Sequence, residues 1–229
     1  EASPDRRQPG IERMTPACER SLDEGLAALN VACDAVQRAR LLSLLALLHK
    51  WNRAYNLTAG RSPEAMVSRH LLDSASVAFA VRGPTLLDVG SGPGFPGLVL
   101  AILNPELQVT LLDSNGKKVR FQRQAVMELG LDNVRCEQVR VESFDASFDQ
   151  IISRAFAALG DFIELTEPLL LEGGEWLAMK GGLEPRELEA LPASVVVHER
   201  KALAVPGVDD TERQLLRLGR LGDSGPGTR

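Results

Sequence analysis

Asp88, Gly90, Gly92 and Gly94 stand at alternate positions in Leu86-Leu87-Asp88-Val89-Gly90-Ser91-Gly92-Pro93-Gly94-Phe95-Pro96-Gly97. An acid followed by alternating glycines is suited to hold a ligand against bare main chain, because glycine lets a backbone approach closely and take positive φ. The apolar residues before it read as a buried strand emptying into this turn. Asp113 ends the next apolar run, 23 residues after Gly90. A carboxylate there can accept from both hydroxyls of a ribose, as acids do at the strand ends of α/β nucleotide sites. The spacing differs from the dinucleotide fingerprint Gly-x-Gly-x-x-Gly or Ala. Phe95 stands where that fingerprint has its last small residue, and its ring would obstruct a pyrophosphate. The plain alternative is a tight glycine turn without a ligand, since short motifs recur by chance.

Asp-x-Gly-x-Gly-x-Gly is also the first-motif pattern of S-adenosylmethionine (SAM) sites, so SAM is the expected cofactor. Val141 and Glu142 follow the third strand run, a place that flanks adenine in SAM enzymes. Open α/β sheets bind ligands beyond the carboxyl ends of their strands. Ser153-Arg154-Ala155-Phe156, at the end of the fourth strand run, should therefore face the transferred methyl. The Pro-Pro-Tyr or Pro-Pro-Phe signature that holds an amino group is absent there. Cys136 falls inside a strand run and reads as core rather than as a nucleophile. Arg154 remains, a bidentate donor suited to a phosphate or a guanine edge, with a structural salt bridge as its alternative. Lys180, ending the fifth strand run, reads either as a phosphate or SAM-carboxylate ligand or as a solvated strand end. His70 reads as a satisfied buried histidine rather than a base. His49 and His198 have no spacing partner, so no metal site is expected.

Two basic stretches offer an RNA contact. Lys50-Trp51-Asn52-Arg53-Ala54-Tyr55-Asn56-Leu57-Thr58 interleaves cations with aromatics, a pattern that can stack bases and hold phosphates. Arg61 and Arg69 follow, against the single acid Glu64. Lys117, Lys118, Arg120 and Arg123 form the second stretch, with no acid among residues 114–123. Trp51 and Tyr55 also lie on one helical face, so helix packing with snorkelling cations is an equal reading.

The elements that must position these groups follow from periodicity. Ser21-Leu22-Asp23-Glu24 fits a helix start with a capping box. A leucine-dense helix is expected from about 33 to 55, and another from Ser62-Pro63 toward Val81. Residues 15–81 thus read as a helical cap. From 84 onward strands at 85–89, 108–112, 133–139, 148–153 and 175–180 alternate with helices near 96–103, 116–129 and 158–171. Alternation of this kind implies a parallel sheet with right-handed crossovers. Final strands near 195–197 and 214–218 suit a closing antiparallel hairpin, giving seven strands in all. The expected class is α/β, a Rossmann-like methyltransferase core over 82–220. Residues 1–14 and 221–229 read as unstructured ends, with Met14 a candidate start.

Net charge of −5 argues against a generic nucleic-acid binder and demands a localised basic face instead. Cys18, Cys33 and Cys136 form no Cys-x-x-Cys pair, which fits a reducing cytoplasm. No apolar run is long enough to span a membrane. No heptad seam argues for a dimer, so a monomer is expected.

Together these blocks resemble the bacterial 16S ribosomal RNA guanine-N7 methyltransferases, the glucose-inhibited division protein B family. The resembling segments are 50–58, Arg69-His70-Leu71-Leu72-Asp73-Ser74, 87–97, Asp113-Ser114-Asn115-Gly116-Lys117-Lys118, Arg140-Val141-Glu142, 153–156 and Lys180-Gly181. They cover about residues 40–182, in family order. The family often carries an aliphatic residue where Phe95 stands. The resemblance implies SAM contacts from Gly90, Phe95, Val141, Glu142 and Arg154. It implies methyl transfer to N7 of one guanosine, in free rRNA, a 30S particle or an assembly intermediate. On this reading Arg154 and Lys180 hold the target nucleotide while Lys50, Arg53, Arg69, Lys117 and Lys118 serve RNA. A SAM enzyme acting on another acceptor and a non-catalytic RNA-binding assembly factor are the competing readings.

Overall fold

In a computed structural model of the protein the described residues are 14–60, 62–154, 156, 158–208 and 212–223. The expected unstructured ends thus lie largely outside the described residues, as do Arg61 and Ala155. Met14 packs on the core, and residues 221–223 form a turn.

Seven strands form one sheet in the order β3-β2-β1-β4-β5-β7-β6. They are β1 Thr85–Val89, β2 Gln108–Asp113, β3 Val134–Gln138, β4 Phe148–Arg154, β5 Leu170–Lys180, β6 Val195–Ala202 and β7 Gln214–Arg220. The first five are parallel, and β7 runs antiparallel between β5 and β6. Buried parallel strands need apolar side chains on both faces, which Leu86, Leu87 and Val89 supply in β1 and Ile151 and Ile152 at the centre of β4. Strand order reverses between β1 and β4. Ligands of open α/β sheets bind outside the carboxyl ends at such a reversal. Asp88 pairs with Ile152 there, one residue before Ser153 and two before Arg154.

Helices α5 Gly97–Leu103, α6 Gly116–Leu129 and α7 Leu159–Thr166 follow β1, β2 and β4. Asn115 caps α6, its side chain accepting from the amides of Lys117 and Lys118, and Gly130 ends it in the left-handed conformation at φ 63°. A short 3₁₀ turn covers Val141–Ser143. Only α8, Pro185–Glu189, crosses between β5 and β6.

The cap comprises α1 Pro16–Ala28, α2 Ala35–Tyr55, α3 Pro63–Met66, a π-helical segment Val67–Leu72, α4 Asp73–Ala75 and a 3₁₀ turn Ala78–Ala80. Asp34 and Gln37 form the capping box of α2, which buries Leu41, Leu44, Leu45 and Leu48. These leucines share one apolar cluster with Met66 and Leu71 of the cap and Leu98, Val99 and Phe121 of the sheet's helices.

Three expected boundaries are corrected. Helix α1 begins at Thr15-Pro16, not at Ser21: Thr15 accepts from the Cys18 amide, while Ser21 and Glu24 lie inside the helix. Proline at the first helical position is the stronger start, because its missing N–H is needed by no partner there. The helix expected over 158–171 stops at Thr166, followed by a 3₁₀ turn at Glu167–Leu169 around Pro168. Strand β5 starts at Leu170, not 175; the register with β4 shifts between Phe148 and Gln150, and Gly173 takes φ 75° at this bulge.

Candidate functional site

The turn after β1 is built by backbone geometry. Gly90, Gly92 and Gly94 have φ of 63°, 58° and 108°, so each occupies the region that L side chains avoid. A Cβ added at Gly90 or Gly92 would meet nothing within 4 Å, so both present open main chain. The Gly92 amide donates to Asp113 Oδ2 at 2.8 Å, and the Asn115 amide to Asp113 Oδ1 at 2.8 Å. Each carboxylate oxygen keeps a lone pair for a further donor. Gln122, wholly buried in α6, donates to Ser91 Oγ at 2.8 Å and to the Gly92 carbonyl at 2.5 Å. Asp88 Oδ2 accepts from the Gly97 amide at 2.8 Å, while its Oδ1 is buried without a partner.

A cavity of about 250 Å³ opens beside this turn. Its apolar walls are Val89, Leu112, Val141, Phe156 and Leu165; Gly90, Asp113 and Glu142 supply main chain and carboxylates. Apolar walls with a few placed polar groups are the usual make-up of a small-molecule site. Leu112, Val141 and Phe156 offer apolar surface to a flat ring, and Asp113 offers free lone pairs to a ribose. Gly90 leaves open main chain at the cavity, Gly92 does so beside it, and Asp88 Oδ1 beneath is a buried oxygen without a partner. The donor set therefore fits SAM. Of the residues expected to bind it, Gly90, Asp113, Val141 and Glu142 line this cavity. Asp88, Gly92 and Gly94 shape the turn. Phe95 and Arg154 do not line the cavity: Phe95 is buried and stacked on His70, ring centroids 5.0 Å apart.

Arg154 lies at the seam between sheet and cap. Its Nη1 pairs with Asp73 Oδ2 at 3.2 Å and donates to the Arg69 carbonyl at 3.1 Å. Its Nη2 approaches His70 Nδ1 at 3.3 Å, and its guanidinium sits 5.8 Å from the Phe95 ring. Because arginine only donates, His70 Nδ1 accepts, so Nε2 carries the proton and donates to Thr58 Oγ1 at 2.9 Å. Burial, then the charges of Arg154, Arg69 and Arg213, hold the His70 imidazolium down to about 3. His70 is thus a neutral positioning residue. Lys180 is tucked in rather than solvated: it pairs with Glu187 at 3.0 Å and donates to the Phe156 carbonyl at 3.4 Å. Cys136 is half-buried, with its thiol pushed up to about 11, chiefly by burial.

The two basic stretches meet. Trp51 packs edge-on against Phe121, centroids 5.7 Å apart, and tilts against Tyr55 at 5.3 Å. This joins the end of α2 to α6, so the packing reading of Trp51 holds while Tyr55 stays exposed. Lys50, Arg53, Arg69 and Lys117 are exposed and Lys118 half-buried. Lys117 and Lys118 occupy the first turn of α6, where the helix dipole favours anions and no acid is present.

Several residues escaped the sequence. Asn52 is buried, accepting from the Thr58 amide at 2.9 Å and donating to the Gly60 carbonyl at 3.1 Å; it shapes the loop that aims Thr58 at His70. Asp73 pairs on its other oxygen with Arg213 at 3.1 Å. The available signal was a lone carboxylate inside the apolar run 66–80. Gln122 and Arg213 carried none. Among the described residues there is no cluster of metal-ligating side chains, and no helix is long and apolar enough to cross a membrane.

Similar proteins agree on fold and family. The fold resembles TrmN from Thermus thermophilus, with TM-score 0.53 and 21% identity over 76% of this chain and 53% of that one. It also resembles a SAM-dependent methyltransferase from Aquifex aeolicus, with TM-score 0.51 and 17% identity over 67% of this chain and 92% of that one. The ribosomal RNA small subunit methyltransferase G of Chromohalobacter salexigens is 69% identical over 208 residues, 90% of this chain and all of the relative. Its counterpart in Pseudomonas aeruginosa is 52% identical over 202 residues, 87% of this chain and 94% of the relative. The family described as GidB, rRNA small subunit methyltransferase G, matches residues 37–216, which include the glycine turn, its cavity and the Arg154–Asp73 seam. The chain belongs to that family.

Proposed function

We propose that this protein is a SAM-dependent methyltransferase that modifies N7 of a guanosine in 16S rRNA, acting as a cytoplasmic monomer on the 30S subunit or an assembly intermediate. The observation that carries this reading is the family match across the whole site. When bound, SAM supplies a methyl group activated by its sulfonium. Asp113 receives the ribose, Val141 and Glu142 border the adenine, and Gly90 and Gly92 give room for the rest. Guanine N7 is already nucleophilic and carries no proton, so the acceptor needs in-line placement rather than a base. The neutral His70, both of whose ring nitrogens are engaged, suits that requirement.

Arg154 is proposed to hold the target nucleotide through the donor capacity its cap contacts leave free. Lys180 is proposed to act from the Phe156 segment. Lys50, Arg53, Arg69, Lys117 and Lys118 bind flanking phosphates. The unfavourable placement of Lys117 and Lys118 at a helix N-terminus supports this, because a phosphate there relieves their repulsion from the dipole. Residues 15–81 act as the cap on the core of 82–220.

The test is transfer of labelled methyl from SAM to 30S subunits lacking the modification, followed by digestion to nucleosides. Label in 7-methylguanosine supports the proposal. Label in another nucleoside or in protein moves the acceptor. No label with SAM binding intact supports the non-catalytic RNA-binding alternative.

A further inference from the structure

A second, larger groove lies across α7 from the cofactor cavity, about 660 Å³ against about 250 Å³. Helix α7 serves both: Leu165 faces the cavity, whereas Asp161 and Glu164 edge the groove, whose accessible apolar lining is Ala190, Pro192 and Val195 over the buried Leu159, Ile163 and Trp176. The groove exists because the crossover from β5 to β6 carries only the five-residue α8. A helix of that length covers about 7.5 Å of sheet; Trp176, Leu216 and Leu218 beneath it are wholly buried, and the opening lies beside α8 at Ala190, Pro192 and Val195.

The rim is acidic. Glu167 pairs with Arg220 at 3.6 Å and Glu187 with Lys180 at 3.0 Å, and Arg186 pairs with Glu184. Asp161 and Glu164 have no ion pair among the described residues, and both are exposed along α7. Residues 158–195 hold eight acids and two bases, whereas residues 114–123 hold four bases and no acid. The molecule therefore presents a basic side formed by α2 and α6 and an acidic, apolar-floored groove beside α7. Phosphate backbones are repelled from this groove, and an apolar floor has little to offer a small cation.

We infer that the groove docks a lysine- and arginine-rich polypeptide segment, carried by the small-subunit particle, that seats an aliphatic side chain against Ala190, Pro192 and Val195. This rests on the reading that a ribosomal particle is the substrate. Its cations meet Asp161 and Glu164. Charge complementarity of this kind sets partner choice and association rate.

Two variants outside the cofactor site test the inference. Asp161→Lys with Glu164→Lys reverses the rim. Gly160→Trp fills the groove: a Cβ at Gly160 meets nothing within 4 Å, so the ring enters free space. Dissociation constants are measured for 30S subunits, for deproteinised 16S rRNA, and for a synthetic peptide of alternating lysine and leucine. Unfolding midpoints are recorded alongside. The expected result is about tenfold weaker binding of peptide and 30S by both variants, with rRNA bound as well as or better than by the wild type. Unchanged 30S and peptide affinity overturns the inference. Equal weakening toward deproteinised rRNA overturns it in favour of RNA in the groove. Wild-type self-association that both variants abolish overturns it in favour of a second copy. Methyl transfer by the wild type, run in parallel, tests the substrate reading separately, and the peptide measurement decides the groove whichever way that falls.

Discussion

Arg154 Nη1 and Asp73 Oδ2 meet at 3.2 Å across the seam between sheet and cap, and the carboxylate is wholly buried. Arg213 takes the other oxygen at 3.1 Å. One carboxylate thus balances two guanidinium groups, one at the end of β4 and one just before β7. Asp73→Asn leaves both without a counter-charge, and breaking a buried pair from one side costs about 3–5 kcal/mol. A urea titration checks this. A midpoint equal to the wild type's would mean that the arginines find other partners. Methylation should fall as well, because the mutation frees Arg154 from its present orientation.

The glycines of the turn separate folding from binding. An added Cβ at Gly97 collides with Leu111 and lies 2.9 Å from Asp88 Oδ2. Gly97→Ala is therefore expected to lose about 1–3 kcal/mol of stability by overpacking. Gly90→Ala meets no atom, and its φ of 63° costs only about 1 kcal/mol. On the proposed placement of SAM, its methyl instead meets the ligand. Calorimetry should show SAM affinity at least tenfold weaker for Gly90→Ala, with a nearly wild-type melting temperature.

Two buried groups give opposing pH dependence. The His70 imidazolium falls from 6.5 to about 3, chiefly through burial. Between those values the unfolded chain binds a proton that the folded chain refuses, so stability drops as pH falls, by up to about 1.4 kcal/mol per pH unit. Burial pushes the Asp88 carboxyl from 3.8 up to about 7. Between those values the folded chain keeps a proton the unfolded chain releases, so stability drops as pH rises. The wild type should show a nearly flat profile from about pH 4 to 6.5. His70→Phe should leave stability declining with rising pH there, and Asp88→Asn should leave it increasing. Urea midpoints across the window measure both slopes, and equal slopes in the two variants would contradict the assignment.

Binding to rRNA should weaken steeply with salt, since docking by an acidic chain rests on a local cluster of cations. Lys50→Ala and Lys117→Ala should each reduce the slope of log K against log salt by roughly 0.7–0.9 if each meets one phosphate. Filter binding between about 50 and 200 mM salt is the measurement. A slope unchanged in both variants would move the RNA contact elsewhere.

The central parallel strands were legible because burial on both faces leaves adjacent apolar residues, Leu86-Leu87 in β1, Leu111-Leu112 in β2 and Ile151-Ile152 in β4, between turn residues. The starts of β1 and β2 fell where the sequence placed them. The glycine turn was legible because positive φ leaves a residue-type signature. The start of α1 was not, because two capping signals compete within seven residues and only packing chooses between them. The Arg154–Asp73–Arg213 contact was illegible for a different reason: its members lie 81 and 140 residues from Asp73, and nothing local marks such a pairing. Lys180 looked like a solvated strand end because Glu187 belongs to a later helix.

The π-helical segment Val67–Leu72 holds His70 and, at its close, Asp73 against the sheet while Arg69 stays outside. A wide turn of this kind equals a regular helix with one residue inserted, tolerated because the bulge absorbs it. Removing one residue from the segment would let an ordinary α-helix run through. It would turn everything downstream by about 100°, carrying Asp73 away from both arginines. The spacing between Arg69 and Asp73 is therefore fixed by a deliberate miscount of the helical repeat, and single-residue deletions here should be tolerated far less than in the loop at 56–60.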